Sequence, residues 1–239
     1  MRAIGIDIGG TKIRGVLWNG EKVVRAIEFS TPASKEDFIE RLSAVTIVLS
    51  RTETSLPGIG IGAAGVVENT TLLCSPNIRY IKNLDFRTLW PRSLSLRLDN
   101  DARCFARSEL VCGAGRGAKS LFALTIGTGI GRAYGRKGRV FKIKKFEYPE
   151  RWEKEYQTLR KARNDRKLAD FLAEKLSSLI LPFKPEAVVI GGGVLRRERF
   201  FSMLRQELEA RRLASTIRRA SFTRNGGAIG AALLVTARQ

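Results

Sequence analysis

Ile4-Gly5-Ile6-Asp7-Ile8-Gly9-Gly10-Thr11-Lys12-Ile13-Arg14-Gly15-Val16 decides how the rest of the chain is read. An apolar run ends at one carboxylate, two glycines and a Thr-Lys pair follow, and a second alternating run carries the backbone away. That order spells strand, turn, strand. Glycines leave the turn without β-carbons, so backbone N–H groups can approach phosphate oxygens directly. Gly9, Gly10, Thr11 and Lys12 are therefore candidate nucleotide contacts, and Asp7 stands where a hydrated Mg²⁺ would be held through water. A plain glycine hairpin is the competing reading. The segment is not a Walker loop, because no G-x-x-x-x-G-K-[ST] occurs and it runs strand to strand.

Composition bounds what the chain can do. At 239 residues and 44% hydrophobic it can bury a real core, as one large domain or two small ones. No segment approaches the roughly 20 apolar residues of a membrane span, and Met1-Arg2-Ala3 enters the first strand without a signal-peptide pattern. Cys74, Cys104 and Cys112 are odd in number and lack C-x-x-C spacing, which points away from a disulfide framework or thiolate metal site. A cytoplasmic protein is the simplest expectation. The chain has no histidine, so imidazole cannot serve as base, nucleophile or metal ligand. Its net charge of +20 implies affinity for polyanions and says nothing about fold. Much of the basic excess lies in Arg132 to Lys145, Arg160 to Lys167 and Ile217 to Arg224. These runs read as solvated faces, with non-specific nucleic-acid contact as the alternative.

Strand and helix signals alternate along the chain. Residues 2 to 8, 12 to 18 and 22 to 29 read as a strand meander, and Ser34-Lys35-Glu36-Asp37 resembles a capping box. The helix that follows places Phe38, Leu42, Val45 and Leu49 on one face. Pro57 to Ala64 reads as a buried strand, Leu94 to Leu98 as a short one, and a helix begins at Asn100 or Asp101 and ends near Gly113. The pattern then restarts: Ser120 to Ile126 is a strand, Gly127-Thr128-Gly129-Ile130-Gly131 a turn, and Arg132 to Tyr134 the start of another strand. A helical stretch from about Glu150 to Leu181 breaks near Asn164. Ala187 to Ile190 is a strand, Gly191-Gly192-Gly193 leads into a helix from Val194 to about Arg211, and the last helix starts after Asn225-Gly226-Gly227.

Read in order, IGIDIGGTKIRG, GIGIGAAGVV, SPNI, LDNDARCFARSE, LTIGTGIG, VVIGGGVL and NGGAIGAALL resemble the sugar kinases of the ROK family, within the actin-like ATPase and hexokinase superfamily. The resemblance covers nearly the whole chain except about Arg136 to Leu159. It implies an α/β fold of the two-lobed actin-like ATPase (ribonuclease H-like) type with a nucleotide cleft between lobes. Residues 1–105, completed by the helix at 226–239, would form the N-terminal lobe and 106–225 the C-terminal lobe. The implied activity is ATP- and Mg²⁺-dependent phosphorylation of a hexose, glucose or a relative at O6, with an N-acetylhexosamine as second choice. Small-molecule sugar and ATP are the implied partners, and a homodimer is left open.

The resemblance also assigns roles by position. Asp101 matches the family's catalytic base, with a helix N-terminal Asp as its alternative. Asn100 matches a partner of sugar hydroxyls or is a plain N-cap. Gly127, Thr128 and Gly129 would supply a second phosphate loop, and Gly191, Gly192 and Gly193 a bare backbone for adenosine, unless they serve only close strand-helix contact. Gly65 and Asn77 correspond to positions around the family's sugar pocket, and Glu109 to a carboxylate that could simply brace its helix. One departure matters. The family's Glu-x-Gly-His sugar segment and cysteine-rich zinc site have no counterpart in Arg139 to Tyr156, which lacks His, Cys and Gly, so zinc is not expected. Glu147 or Glu150 are the candidate replacement contacts, with surface ion pairs as the alternative, and the family's Asn-Asp-Ala-Asn becomes Asn100-Asp101-Ala102-Arg103. A different class remains as rival: an ATP-binding protein without catalysis that acts through its basic surface on nucleic acid. Repressors of the family carry a helix-turn-helix ahead of the kinase fold, whereas the hairpin here begins at residue 4.

Overall fold

The computed structural model describes residues 2–53, 58–211 and 213–236. Its backbone divides into two compact units, Met1–Ser108 with Asn225–Gln239, and Glu109–Arg224. Each is built on a five-stranded mixed sheet with its own apolar core.

In the first unit, β1 (Ala3–Ile8), β2 (Lys12–Trp18) and β3 (Val23–Ser30) form the meander, β4 (Ile59–Ala63) and β8 (Leu96–Asn100) extend it in parallel, and the order is β3-β2-β1-β4-β8. The Gly9-Gly10 turn is closed by Gly9 N–H donating to Lys12 O at 3.0 Å. Helix α1 (Lys35–Ser50) starts as its capping residues dictate, with Ser34 Oγ accepting from Asp37 N at 3.1 Å. Phe38, Leu42, Val45 and Leu49 are all buried, each contributing about 1.5–3 kcal/mol of burial. Helix α6 (Gly226–Thr236) crosses the other side and is apolar nearly all round, as a helix enclosed by protein must be. It approaches so closely that a β-carbon on Gly5 would lie 1.8 Å from Ala228 O, and one on Gly60 1.7 Å from Ala231 O. Helix α2 (Asp101–Val111) follows β8 directly.

Among the strands not read from sequence, β5 (Val66–Glu68), β6 (Thr71–Cys74) and β7 (Lys82–Asp85) make a separate antiparallel sheet. The strand expected at Leu94 to Leu98 is shifted, because Leu94 N–H closes a turn onto Pro91 O at 3.0 Å while the β4 ladder runs on to pair Ala63 with Asn100. Pro57, the expected start of β4, lies outside the described residues.

The second unit repeats the plan. Strands β9 (Ser120–Ile126), β10 (Ile130–Arg136) and β11 (Arg139–Val140) are antiparallel neighbours, and β12 (Ala187–Gly191) and β13 (Thr216–Arg219) continue in parallel, giving the order β11-β10-β9-β12-β13. Helices α3 (Glu153–Ala162) and α4 (Asp165–Ile180) break where Arg163 turns left-handed at φ 58° and Asn164 caps α4. The helix expected from Val194 is instead a short 3-10 turn, Gly193–Arg196, followed by α5 (Phe200–Ala210). Arg199, left-handed at φ 59°, separates the two.

Candidate active site

Ladder register gathers the site residues of the first unit. Asp7 pairs with Gly62 and Gly62 with Asp99, while Ile8, Ala63 and Asn100 form the next rung. The carboxyl ends of β1, β4 and β8 are therefore level, the edge where open α/β sheets bind ligands. A β-carbon on Gly62 would lie 3.6 Å from Asp101 Cα, so Asp101 stands beside the residue that also pairs with Asp7. Desolvation pushes the Asp7 carboxyl up to about 7; the charge of Asp101 adds to the rise and Arg14 opposes it. Asp101 is raised as well, by burial, against a lowering hydrogen bond from Ala102 N–H. Two carboxylates that resist ionisation together form a site a cation would relieve. Because only two converge, the ion would keep several waters, which suits Mg²⁺. Among the described residues there is no group of three or more His, Cys, Asp or Glu able to hold a metal ion.

The glycine turn beside them has mixed origins. A β-carbon on Gly10 would come within 2.2 Å of Asn77 Cβ, so this glycine is demanded by Asn77 seated against the turn. Thr31 Oγ1 donates to Gly9 O at 2.7 Å. Thr11 is exposed, and Lys12 pairs with Glu28, which also holds Arg14. Lys12 is the first cause of the lowered Glu28 carboxyl.

Asn100 is an N-cap here. Its Oδ1 accepts from Ala102 N–H at 3.0 Å, and its Nδ2 donates to Gly65 O at 3.1 Å. Gly65 adopts φ 140°, and a β-carbon there would strike Cys74 O at 2.1 Å, so loop geometry alone requires glycine. Arg103, the departure from the family pattern, is buried and paired with Asp99, as is Arg107.

In the second unit, Thr125 pairs with Gly191, which sets the 127–129 turn beside the triple glycine. Gly192, at φ 104°, would place a β-carbon 2.4 Å from Ile126 O, so it is structural. Gly193 is different: nothing lies within 4 Å of its would-be β-carbon. Gly127 and Gly129 are equally open, with no neighbour nearer than 3.9 Å. Neither has a left-handed φ, so neither fold nor dihedral demands the glycine, and the bare space is suited to a ligand. Ile190, Gly191, Gly192, Leu195, Ala220 and Thr223, with Arg196 and Arg219, line a small open concavity at the carboxyl end of β12. Glu150 lies 3.7 Å from Lys145 Nζ and 3.9 Å from Arg132 Nη1, within an ion-pair group, and Glu147 ends a short 3-10 turn. Glu109 is buried and accepts from Ala114, Ser221 and Phe222 N–H groups, tying two loops together.

Sequence reasoning passed over Gly227. A β-carbon there would lie 2.4 Å from Asp7 Oδ2, which puts the first turn of α6 against the carboxylate. The paired glycines after Asn225 were the available signal.

Residues 3–142 and 150–238 match the family model described as ROK family. The chain is 33% identical over 138 residues to a glucokinase of Thermotoga maritima, covering 55% of this chain and 43% of that protein. It is 32% identical to an N-acetyl-D-glucosamine kinase of Haemophilus influenzae, over 57% of this chain and 46% of the relative. The matched stretches thus span less than half of either relative. Among solved structures, a ROK family glucokinase from Streptomyces griseus in complex with glucose and AMPPNP aligns with a TM-score of 0.83 at 21% identity, covering 98% of this chain and 99% of that one. At that identity the likeness speaks for the fold, which is that of the actin-like ATPases. With its glycine turns, paired sheets and nearly full-length model match, the chain belongs to the ROK family.

Proposed function

We propose that this chain is a sugar kinase that transfers the γ-phosphoryl group of Mg·ATP to a hexose hydroxyl. The observation that carries the reading is that Asp7 and Asp101 both stand beside Gly62 at the carboxyl edge of β1, β4 and β8. Phosphoryl transfer has a loose transition state and needs positioning and charge neutralisation more than a strong base. Asp101 would orient the attacking hydroxyl and take its proton. Its raised affinity for protons, set by burial, suits that task. Asp7 would hold Mg²⁺ through water, and the ion supplies neutralisation of the β- and γ-phosphates. Gly9, Gly10, Thr11 and Lys12 would border the phosphates in the first unit, with Gly127, Thr128 and Gly129 as the second phosphate loop. The bare edge at Gly193, beside the pocket of Gly191 and Gly192, would receive adenosine. Asn77, Gly65 and Asn100 stand around the sugar side, and Glu147 and Glu150 are the candidate further contacts.

Glucose is our leading substrate and an N-acetylhexosamine the second, a choice supported by the two kinds of kinase among the relatives. No helix among the described residues is long and apolar enough to cross a membrane, and a cytoplasmic enzyme is part of the reading. ADP release from Mg·ATP across glucose, mannose, fructose, hexosamines and their N-acetyl forms tests it. At least one sugar should raise the rate well above the sugar-free value, and a flat panel would sink the proposal.

A further inference from the structure

Helix α3 grips the second glycine turn through three successive contacts. Glu153 is buried; its Oε2 accepts from Ile130 N–H at 3.3 Å, and its Oε1 pairs with the buried guanidinium of Arg132. One turn further along α3, Tyr156 Oη donates to Gly127 O at 2.6 Å, and Gln157 Nε2 donates to Thr128 O. Tyr156 is fully buried, and burial pushes its phenol up to about 12, so it remains a donor at any working pH.

The consequence follows from the planar trans peptide, whose C=O and N–H point in opposite directions. With Gly127 O turned to Tyr156, the N–H of Thr128 faces away from α3. With Thr128 O turned to Gln157, the N–H of Gly129 faces the same way. Gly127 N–H is already closed onto Gly129 O at 2.9 Å. Two successive amides aimed out of a bare glycine turn form an anion-binding nest. The first unit repeats the device, where Thr31 Oγ1 holds Gly9 O and thereby turns Gly10 N–H away from Thr31.

We propose that Tyr156 and Gln157 are positioning residues that aim the Thr128 and Gly129 amides at a nucleotide phosphate. This rests on the nucleotide reading above and adds two residues of α3 that the sequence did not single out as site residues. Tyr156→Phe removes only the hydroxyl and keeps the ring, and Gln157→Ala changes a surface position and will fold. Two measurements test the pair: calorimetric affinity for Mg·ATP and for adenosine, and backbone ¹⁵N relaxation of Thr128 and Gly129 without ligand. The double variant should bind Mg·ATP about tenfold more weakly, the combined effect of two neutral hydrogen bonds. Adenosine affinity should stay within twofold of the parent, and both amides should become more mobile. Unchanged Mg·ATP affinity, or equal losses for ATP and adenosine, would overturn the assignment. So would a parent protein that binds ATP no more tightly than adenosine. A parent that binds ATP more tightly, loses this on substitution, yet phosphorylates no sugar would retain the clamp and refute the kinase reading alone.

Discussion

Gly227 stands against Asp7, close enough that a β-carbon on it would lie 2.4 Å from Asp7 Oδ2. The positive end of the α6 dipole therefore faces a carboxylate. Gly227→Ala should push Asp7 aside or shift α6, lowering kcat at least tenfold and stability by about 1–3 kcal/mol, the usual cost of overfilling a tight site. Gly193→Ala is the matched control, since open space surrounds that position. It should leave stability within about 0.5 kcal/mol of the parent and weaken adenosine binding. Urea melts and ADP-release assays compare the two; similar behaviour would contradict the account of both glycines.

Asp7 also makes stability depend on pH. The unfolded chain loses this proton near pH 3.8, whereas the folded protein holds it to about 7. Between those values the folded state binds more protons, so its stability falls as pH rises. Asp7→Asn should therefore melt above the parent at pH 8 in EDTA, by up to about 4 kcal/mol, and show no gain at pH 4. Turnover should vanish at both. A variant less stable than the parent at pH 8 would refute the charge penalty assigned to Asp7.

How much of this was legible depended on how each element buries its side chains. Strands β1, β4, β9 and β12 are buried along almost their whole length and read as continuous apolar runs. Strands β5, β6 and β7 bury only Val67, Leu72 and Leu84, one residue each, so no alternation exists to find. The turn between β5 and β6, with Asn69 at positive φ, was the better clue, while Asn83 adopts positive φ within β7 itself. In β13, Ile217 alone is buried amid two arginines. Of the candidate site, Asp7 and Asp101 could be singled out because each carboxylate falls at the end of a strand, and the structure sets both beside Gly62. Glycines were harder: the first-turn Gly10 answers to Asn77, and Gly192 to Ile126, whereas Gly127, Gly129 and Gly193 have free space. Sequence alone does not separate a glycine kept for close contact from one kept for a ligand.

The proposed reading makes turnover depend on a metal held near the same two carboxylates. Turnover should stop in EDTA and return with Mg²⁺, and tag-free protein should hold no stoichiometric zinc, because the chain has no histidine and its three cysteines are scattered. Elemental analysis decides the second point. One zinc per chain would show a ligand set not visible in this sequence.

Charge is unevenly divided: Glu109–Arg224 carries 27 of the 43 Lys and Arg but only 12 of the 23 Asp and Glu. If this is a solvated face, nucleic-acid binding should be non-specific and fall with a log–log salt slope near −0.9 per phosphate contacted. Sugar phosphorylation should outlast it. Sequence-selective binding that persists at physiological salt, without sugar-dependent ADP release, would instead identify a nucleic-acid-binding protein.

The most direct test of the central claim is sugar-dependent ADP release by the parent and by Asp101→Asn, measured with the best sugar of the panel alongside Mg·ATP affinity. In the proposed reading Asp101 acts on the hydroxyl and does not hold ATP, so the variant should lose on the order of 10² or more in kcat while its Mg·ATP affinity stays within about twofold. A variant that turns over sugar as fast as the parent would contradict the role given to Asp101, and a parent that releases no ADP in response to any sugar would contradict the reading of this site as a sugar kinase.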